Sequence, residues 1–307
     1  AELGSAAELL RLALEAFDEH KTMVAGRYLA KLDALGQFQE LFPLAGEEVL
    51  ARAGKIRQLH GRVTALRASL GSEEGWEVQR DTMGIRCLYQ SHPSGFVRIR
   101  MDAQVDAPLF DLLSLLREVG LWHTWAPSFG GMGLSGARQL GQTSLLNMCF
   151  HTDVRLPWPI RDRCCTFAVD GIDCMNQEDA PQQVVVLLDS GRAQDNCPRP
   201  LDELRDWTGE EVDMWDSGVI ITPAEVAGTE DTLVQVIVCV DPKMSVPRWL
   251  INVAVRNFCF LVMLQVRRAV AATRLPEHLR VTTDPENSFY AFIRRRMAES
   301  LPTQLAL

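Results

Sequence analysis

Residues 245–270 read SVPRWLINVAVRNFCFLVMLQVRRAV, and this stretch decides the fold that we predict. Ser245 can cap a helix, and Pro247 lies in the first turn, where a proline costs no hydrogen bond. At 3.6 residues per turn, one side of this helix is apolar throughout. That side carries Leu250, Ile251, Ala254, Val255, Phe258, Leu261 and Val262. The other side mixes polar residues with Trp249, Phe260 and Met263. We therefore predict a helix that packs on a sheet and is partly covered on its other side, with a plain core helix as the simpler alternative.

A change of hydrophobic period marks the region before this helix as a sheet. From Trp76 onward apolar and polar residues alternate, and glycine or proline turns separate the runs. Predicted strands cover residues 76–81, 85–92, 96–105, 144–154, 163–169, 183–188, 217–222 and 232–240. A helix at 108–120 begins with proline and ends with glycine. This order predicts an α+β fold, an antiparallel sheet with its helices segregated to one side.

Residues 1–72 predict a separate bundle of three α-helices, joined to the sheet by a linker at Gly71–Gly75. The third helix has an apolar stripe at spacings of three and four. The stripe consists of Ile56, Leu59, Val63, Leu66 and Leu70. Pro43 and Gly46 separate this helix from the second.

Residues 276–307 predict a C-terminal tail that contains a short amphipathic helix. In SFYAFIRRRMAESL (288–301), Phe289, Phe292, Ile293 and Met297 lie opposite three arginines. A position on a membrane surface and docking onto the protein are both compatible with this pattern.

Charge and composition narrow the class of partner. The chain has 307 residues, of which 47% are hydrophobic, so it can bury a large core. A net charge of -9 argues against nucleic acid, because phosphate binding needs a basic face. Anionic lipid repels such a chain overall, so membrane contact is expected to be local and transient. Arg256, Asn257 and Gln265 interrupt the best apolar run, which is thus too short for the roughly 20 residues of a transmembrane helix.

The eight cysteines predict a reducing, cytoplasmic environment. They lie in apolar or strand-like runs without Cys-x-x-Cys spacing or paired histidines, so we predict buried thiols and no metal site. The sequence starts at Ala1 without a methionine, and we expect that any targeting segment lies upstream of it.

Three segments resemble the StAR-related lipid-transfer (START) domains, which have the helix-grip fold. LWHTWAPS (121–128) is similar to the tryptophan-containing turn after the first internal helix of that family. LPWPIRDRCC (156–165) resembles a loop and the strand that follows it. DPKMSVPRWLINVAVRNF (241–258) is similar to the final turn and C-terminal helix. Together with the element order, the resemblance covers about residues 73–273, and we take 73–275 as the START-like domain.

The resemblance implies a curved sheet around the C-terminal helix and a tunnel that holds one lipid or sterol. It implies lipid binding and transfer without catalysis or cofactor, and a lid loop at residues 155–160. A dry void of roughly 500 Å³ would cost on the order of 12 kcal/mol, close to the whole net stability of a typical domain. We therefore expect that the purified protein carries bound apolar material.

Polar candidates for the pocket lie on two predicted strands. These are Arg98, Arg100 and Asp102 on the third strand, and His151 with Asp153 on the strand at 144–154. A lipid pocket needs apolar walls and a few polar groups that orient the head group. Strand alternation does not say which face is inside, so a solvent-facing position or a salt bridge across the sheet is an equally open interpretation.

Aromatic and helical residues complete the predicted ligand-binding set. Trp122, Trp125, Trp158 and Trp215 offer broad apolar surfaces with one donor each. Trp158 lies between two prolines and near three arginines, which is typical of a lid or a membrane-touching loop. From the C-terminal helix the set takes Ile251, Val255, Phe258 and Val262.

Two competing functions are open at this point. An enzyme on the same scaffold would need a polar catalytic group, and His151 with Asp153 is the pair that we nominate. A lipid-sensing interaction module would recruit a protein partner through the N-terminal helices. The G-x-G-x-x-G at Gly131–Gly136 is rejected as a dinucleotide motif, because it leads toward a strand and not into a helix.

Overall fold

A computed structural model describes residues 2–36, 46–91, 96–126, 128–129, 132–156, 160–175, 181–224, 231–243, 251–252, 254–270, 273 and 275–300. The chain divides into two compact units. The first consists of Ala1–Ser72 with Ile172–Val185, and the second of Glu73–Gly171 with Val186–Leu307. The predicted Trp158 and the first residues of the predicted C-terminal helix, from Ser245 to Leu250, lie outside the described residues.

The first unit contains the helices α1 (Glu2–Asp18), α2 (Thr22–Ala34) and α3 (Glu47–Gly71). Its core joins Leu29 and Leu32 of α2 to Ala53 and Ile56 of α3. The predicted stripe of α3 is confirmed, since all five of its residues are buried. Gly26 of α2 lies directly against His60, where an added Cβ would meet the imidazole at 2.3 Å. The close approach of the two helices therefore depends on this glycine.

An eleven-stranded sheet forms the body of the fold. Its strands are β1 (Glu77–Thr82), β2 (Ile85–Ser91), β3 (Val97–Asp106), β4 (Ser128–Phe129), β5 (Met132–Ser144), β6 (Asn147–Arg155), β7 (Arg163–Cys174), β8 (Gln183–Asp189), β9 (Glu210–Glu211), β10 (Asp213–Pro223) and β11 (Asp231–Asp241). Their order is β1-β2-β3-β11-β10-β8-β7-β6-β5-β4, with β9 beside β7. The short β9 pairs in parallel, whereas β1–β2, β2–β3, β3–β11, β10–β11, β4–β5, β5–β6 and β6–β7 are antiparallel. The predicted α+β class is confirmed.

Further helical segments lie between the strands and after the last strand in sequence. They are α4 (Leu109–Arg117), a 3-10 helix (Val119–Thr124), a second 3-10 helix (Ser190–Asn196), α5 (Leu201–Leu204), a π-helix (Ala254–Cys259), α6 (Phe260–Ala269), α7 (Pro276–Thr282) and α8 (Ser288–Ser300). Among the described residues, no helix combines the length and the apolar character needed to cross a bilayer. The predicted strand at 144–154 is β6 preceded by the end of β5 and a turn at residues 145–146.

Strand register identifies which face of the sheet meets the C-terminal helix. Met101 pairs with Cys87 on β2 and with Val236 on β11, and these side chains share one face. Arg80 pairs with Cys87, and its guanidinium carbon lies 3.5 Å above the ring of Phe260. We call this side of the sheet the helix face and the opposite side the far face.

The helix that the sequence singled out is buried along a different line from the one predicted. Its buried residues are Val255, Cys259, Phe260, Met263, Val266, Ala269 and Val270. Phe260 and Met263 were predicted on the opposite side, whereas Phe258 remains 37% exposed. The reason is the π-helix at Ala254–Cys259, whose hydrogen bonds reach one residue further than in an α-helix and so rotate the buried line.

Arg267 fastens α6 to the sheet through three backbone carbonyls. Its Nε donates to Gln104 O at 2.6 Å and its Nη2 to Gly84 O at 2.8 Å, and Nη1 donates to Met83 O. Partial burial lowers the pKa of this guanidinium from its ordinary value. One side chain thus joins the helix to the β1–β2 turn and to β3.

The C-terminal helix α8 docks onto its own unit. Tyr290, Phe292, Ile293 and Met297 are buried. The Tyr290 hydroxyl donates to Glu118 Oε1 at 2.6 Å, and its ring lies 5.7 Å from that of Phe110. Burial and this carboxylate raise the pKa of Tyr290. Of the two positions compatible with the sequence, the structure has the docked one.

Candidate functional site

A cluster of aromatic side chains lies on the helix face of the sheet. Phe150 on β6 packs edge-to-face on Phe167 of β7, with ring centroids 5.9 Å apart. Trp122 lies in the first 3-10 helix, and its ring centroid is 6.0 Å from that of Phe150 and 6.1 Å from that of Trp125. The helix Val119–Thr124 follows α4 directly and so brings both tryptophans over the sheet. The same apolar cluster includes Val238 of β11, which pairs with Ile99, so it continues along the helix face to β3.

Trp122 and Trp125 each bury an indole N–H without an acceptor among the described residues. A buried donor left unpaired costs about 1–3 kcal/mol. Each donor would be satisfied by an oxygen atom supplied from outside the described residues. The two predicted tryptophans therefore bring polar groups into apolar surroundings, as a head-group contact requires.

The centre of the helix face keeps apolar surface uncovered. Ile99, Val219, Val236 and Val238 lie on three adjacent central strands and are only half-buried. On the far face of the same strands, Ile220 and Ile237 are fully covered. Central strands normally bury the face that a helix covers, so these four side chains are less covered than that arrangement predicts.

The charged residues predicted on the third strand lie on the far face. Arg100 and Asp102 are 4% and 8% exposed and form a bidentate pair, with Arg100 Nε 3.0 Å from both carboxylate oxygens. Arg98 Nη1 donates to Gln90 Oε1 at 2.6 Å. Their partners in register, Ile237 and Gln235, also belong to the far face. The structure therefore favours the salt-bridge interpretation over a ligand-binding role, because alternation points these residues away from the helix.

Trp215 also lies on the far face. It pairs with Cys239, which pairs in turn with Arg98, and its ring packs edge-on to Phe96 at 5.2 Å. Sequence reasoning assigned it to the ligand because it could not see the strand register.

His151 and Asp153 lie on the far face as well, next to each other on β6. His151 Nε2 is 3.1 Å from Asp153 Oδ1, and its Nδ1 is 2.8 Å from Thr166 Oγ1 on β7. The ring of Trp207 stacks on the imidazole at 4.0 Å. Burial lowers the pKa of His151, although the Asp153 carboxylate opposes this. The predicted pair exists, but on the side of the sheet opposite the aromatic cluster.

A cavity of about 490 Å³ opens beside Asp153 on the far face. It is lined by Ser135, Gly136, Ala137, Arg138, Asp153, Arg155, Asp162, Arg163, Asp206, Trp207, Thr208 and Gly209. Thr166, whose hydroxyl contacts His151, is not among the residues that line this cavity. His151 is not a lining residue either, so of the pair predicted for an enzyme only Asp153 borders this cavity.

The four predicted helix residues differ in burial. Val255 is fully buried, whereas Ile251 and Val262 are half-buried. Phe258 stands among the exposed residues of the π-helix. Sequence reasoning missed Phe150, Phe167 and the half-buried valines of β10 and β11. Phe150 and Phe167 pair across β6 and β7. The sequence could have identified them as site residues only if the face of these strands that meets the helix had been known.

Comparison with solved structures identifies the fold. The crystal structure of human STARD10 matches this chain with a TM-score of 0.56 and 14% identity, over 75% of this chain and 86% of that one. Human StAR-related lipid transfer protein 5 matches with a TM-score of 0.54 and 12% identity, over 71% of this chain and 98% of that one.

By sequence, no protein-family model and no curated protein matches the chain. The structural similarity therefore stands at the level of fold. It confirms the helix-grip fold that the sequence resemblance predicted.

Proposed function

We propose that this chain binds one apolar lipid between the helix face of the sheet and the C-terminal helix, and transfers it between membranes. The observation that carries the proposal is the uncovered apolar surface of Ile99, Val219, Val236 and Val238 at the centre of the sheet. The shared fold supports it, because one of the matching proteins is named a lipid transfer protein. Trp122 and Trp125 supply donors for an oxygen of the head group.

The proposed site differs from the one expected from sequence. Its walls are the helix-face residues of β3, β10 and β11 together with Val255 and Val262. Arg98, Arg100, Asp102, His151, Asp153 and Trp215 are not part of it, because they lie on the far face. The residue 155–160 loop with Trp158 remains our proposal for the lid. A protein partner for the N-terminal helices also remains a proposal.

Extraction of the purified protein with organic solvent, followed by mass spectrometry, tests the proposal directly. We expect about one apolar molecule for each chain, because an unfilled space of this kind is costly. After delipidation, the protein should bind a fluorescent lipid analogue again. Absence of any extracted lipid, together with no uptake of the analogue, would contradict the proposal.

A space-filling substitution locates the site. Val236→Phe places a ring where the central strand keeps surface uncovered, and we expect it to abolish uptake of the lipid analogue while the protein stays folded. The matched control is Val78→Phe on the edge strand β1, where the side chain is 50% exposed. Equal lipid uptake by both variants would place the ligand elsewhere.

A further inference from the structure

A second cluster of side chains with ligand chemistry lies on the far face of the sheet. In the register of β6 and β7, His151 pairs with Thr166 and Asp153 pairs with Cys164. The side chains of all four residues therefore form one patch on two neighbouring strands. The ligand atoms of His151, Asp153 and Cys164 all lie within 4.8 Å of one another.

The imidazole of His151 is held as a metal-ligating imidazole usually is. Its Nδ1 lies 2.8 Å from Thr166 Oγ1, which leaves Nε2 directed at Asp153. A hydrogen bond to the second ring nitrogen fixes the orientation of a ligating histidine. Trp207 stacks on the ring with an angle of 27° between the planes and so fixes its tilt.

Two glycines leave room for the other two side chains. A Cβ at Gly136 would lie 2.9 Å from Asp153 Oδ2, and a Cβ at Gly209 would lie 3.3 Å from Cys164 Cβ. Cys164 Sγ contacts Gly209 O at 3.3 Å. Both strands and the segment before β9 therefore approach the cluster closely, and larger residues at either glycine would displace it.

We propose that His151 Nε2, the Asp153 carboxylate and Cys164 Sγ bind a divalent transition-metal ion of the zinc class. Nitrogen, oxygen and sulfur ligands together suit zinc and disfavour magnesium or calcium, which take oxygen ligands. The ligand atoms need to close in by small rotations, since zinc lies about 2.0–2.3 Å from each ligand. Asp153 has this freedom because its side chain is 39% exposed.

The protein would supply three ligands, of which Asp153 borders the cavity of about 490 Å³. A water molecule from this cavity completes the tetrahedron. Cys164 binds as the thiolate, and its proton passes to solvent when the metal enters. The expectation of no metal site rested on sequence spacing. In this cluster Asp153 and Cys164 are eleven positions apart in sequence and are brought together by the pairing of β6 with β7.

Metal titration of the full chain tests the proposal. Metal-free protein should bind one equivalent of Zn²⁺ in competition with a chromophoric chelator. With Co²⁺ it should give a thiolate-to-metal absorption band and tetrahedral visible bands. Cys164→Ser should remove the thiolate band. Cys165→Ser is the matched control, because Cys165 belongs to the helix-face cluster and should leave the band unchanged.

Two further variants separate this site from adventitious binding. Thr166→Val keeps the shape of the side chain but removes the hydroxyl behind His151, and we expect Zn²⁺ affinity to fall about 10- to 100-fold. Asp153→Asn changes a partly exposed residue and should weaken binding without unfolding the protein. Zn²⁺ binding without a Co²⁺–thiolate band in the wild type, or equal affinity in all variants, would overturn the proposal. The lipid site lies on the other face, so Val236→Phe should bind Zn²⁺ normally.

Discussion

Two indole groups at the edge of the helix face define the chemistry expected of the ligand. Trp122 and Trp125 hold their N–H donors in apolar surroundings without an acceptor among the described residues. We predict that Trp122→Phe and Trp125→Phe, which keep most of the ring surface, each weaken binding of an oxygen-containing lipid. The loss of one hydrogen bond is worth about 0.5–1.5 kcal/mol, or roughly 2- to 13-fold in Kd. Equilibrium titration with a fluorescent lipid analogue measures this.

The matched control for these variants is Trp207→Phe. Trp207 lies on the far face, and its indole already donates to Glu211 Oε1 at 2.8 Å. We expect its loss to leave lipid affinity unchanged. If the two helix-face variants bound lipid as tightly as the wild type, the head group would have to lie away from these tryptophans.

At the scale of elements, the attachment of α6 to the sheet decides how the proposed lipid site opens. Arg267 bonds carbonyls from the β1–β2 turn and from β3, so it holds the helix over the helix face. We predict that Arg267→Met lowers the free energy of unfolding by about 0.5–1.5 kcal/mol, because three carbonyls of exposed residues lose a charged donor. The same variant should release bound lipid faster. Denaturant titration and lipid transfer between vesicles measure the two effects.

Arg268→Met is the control for this change. Arg268 is the next residue of the same helix and is exposed, so its loss removes charge without removing a contact to the sheet. Equal effects of the two variants would mean that charge, and not the attachment of the helix, controls stability and release.

Sequence patterns predicted some elements accurately because those elements are regular. The stripe of Ile56, Leu59, Val63, Leu66 and Leu70 needs only an uninterrupted helical period, and all five residues are buried. The same reasoning misplaced Phe258 and Met263, since a π-helix precedes α6 and shifts the phase. The hydrophobic pattern of the sequence does not reveal that one turn of the helix contains an extra residue.

The candidate site was harder to predict than the fold. Alternation on β3 separates Arg100 from Met101 without saying which of them meets the helix. That choice comes from the pairing of Met101 with Cys87 and from the contact between Arg80 and Phe260. Alternation in a strand separates its residues into two sets but does not say which set faces the helix. Arg100 and His151 could therefore be assigned to the far face only from tertiary contacts.

At the scale of the whole molecule, each compact unit contains a histidine whose pKa is lowered by full or partial burial. Burial lowers the pKa of His60, and the charges of Arg27 and Arg67 add to this. Burial also lowers the pKa of His278, against the opposing charges of Glu118, Glu277 and Asp111. The unfolded chain therefore takes up protons below about pH 6.5 before the folded chain does. We predict that stability falls as the pH drops from 6.5 toward the lower pKa of each folded group.

Denaturant titrations at pH 7.5 and pH 5.5 check this expectation. His278→Phe removes one titrating group and should reduce the loss of stability between the two pH values. His123→Gln is the control, because His123 is exposed. A wild-type protein that is equally stable at both pH values would contradict the prediction, and so would an identical pH dependence in the His278 variant.

The eight cysteines carry a consequence for reversibility. All of them are free and buried, and burial raises the pKa of Cys87 to about 11 and that of Cys165 to about 12. While the chain is folded, the thiols of Cys87 and Cys165 are therefore protonated and shielded from oxidants. Heating exposes all eight together and returns each to ordinary reactivity, so scrambled disulfides then compete with refolding. Thermal unfolding in air should therefore be irreversible, whereas thermal unfolding in the presence of a thiol reductant should be reversible on cooling.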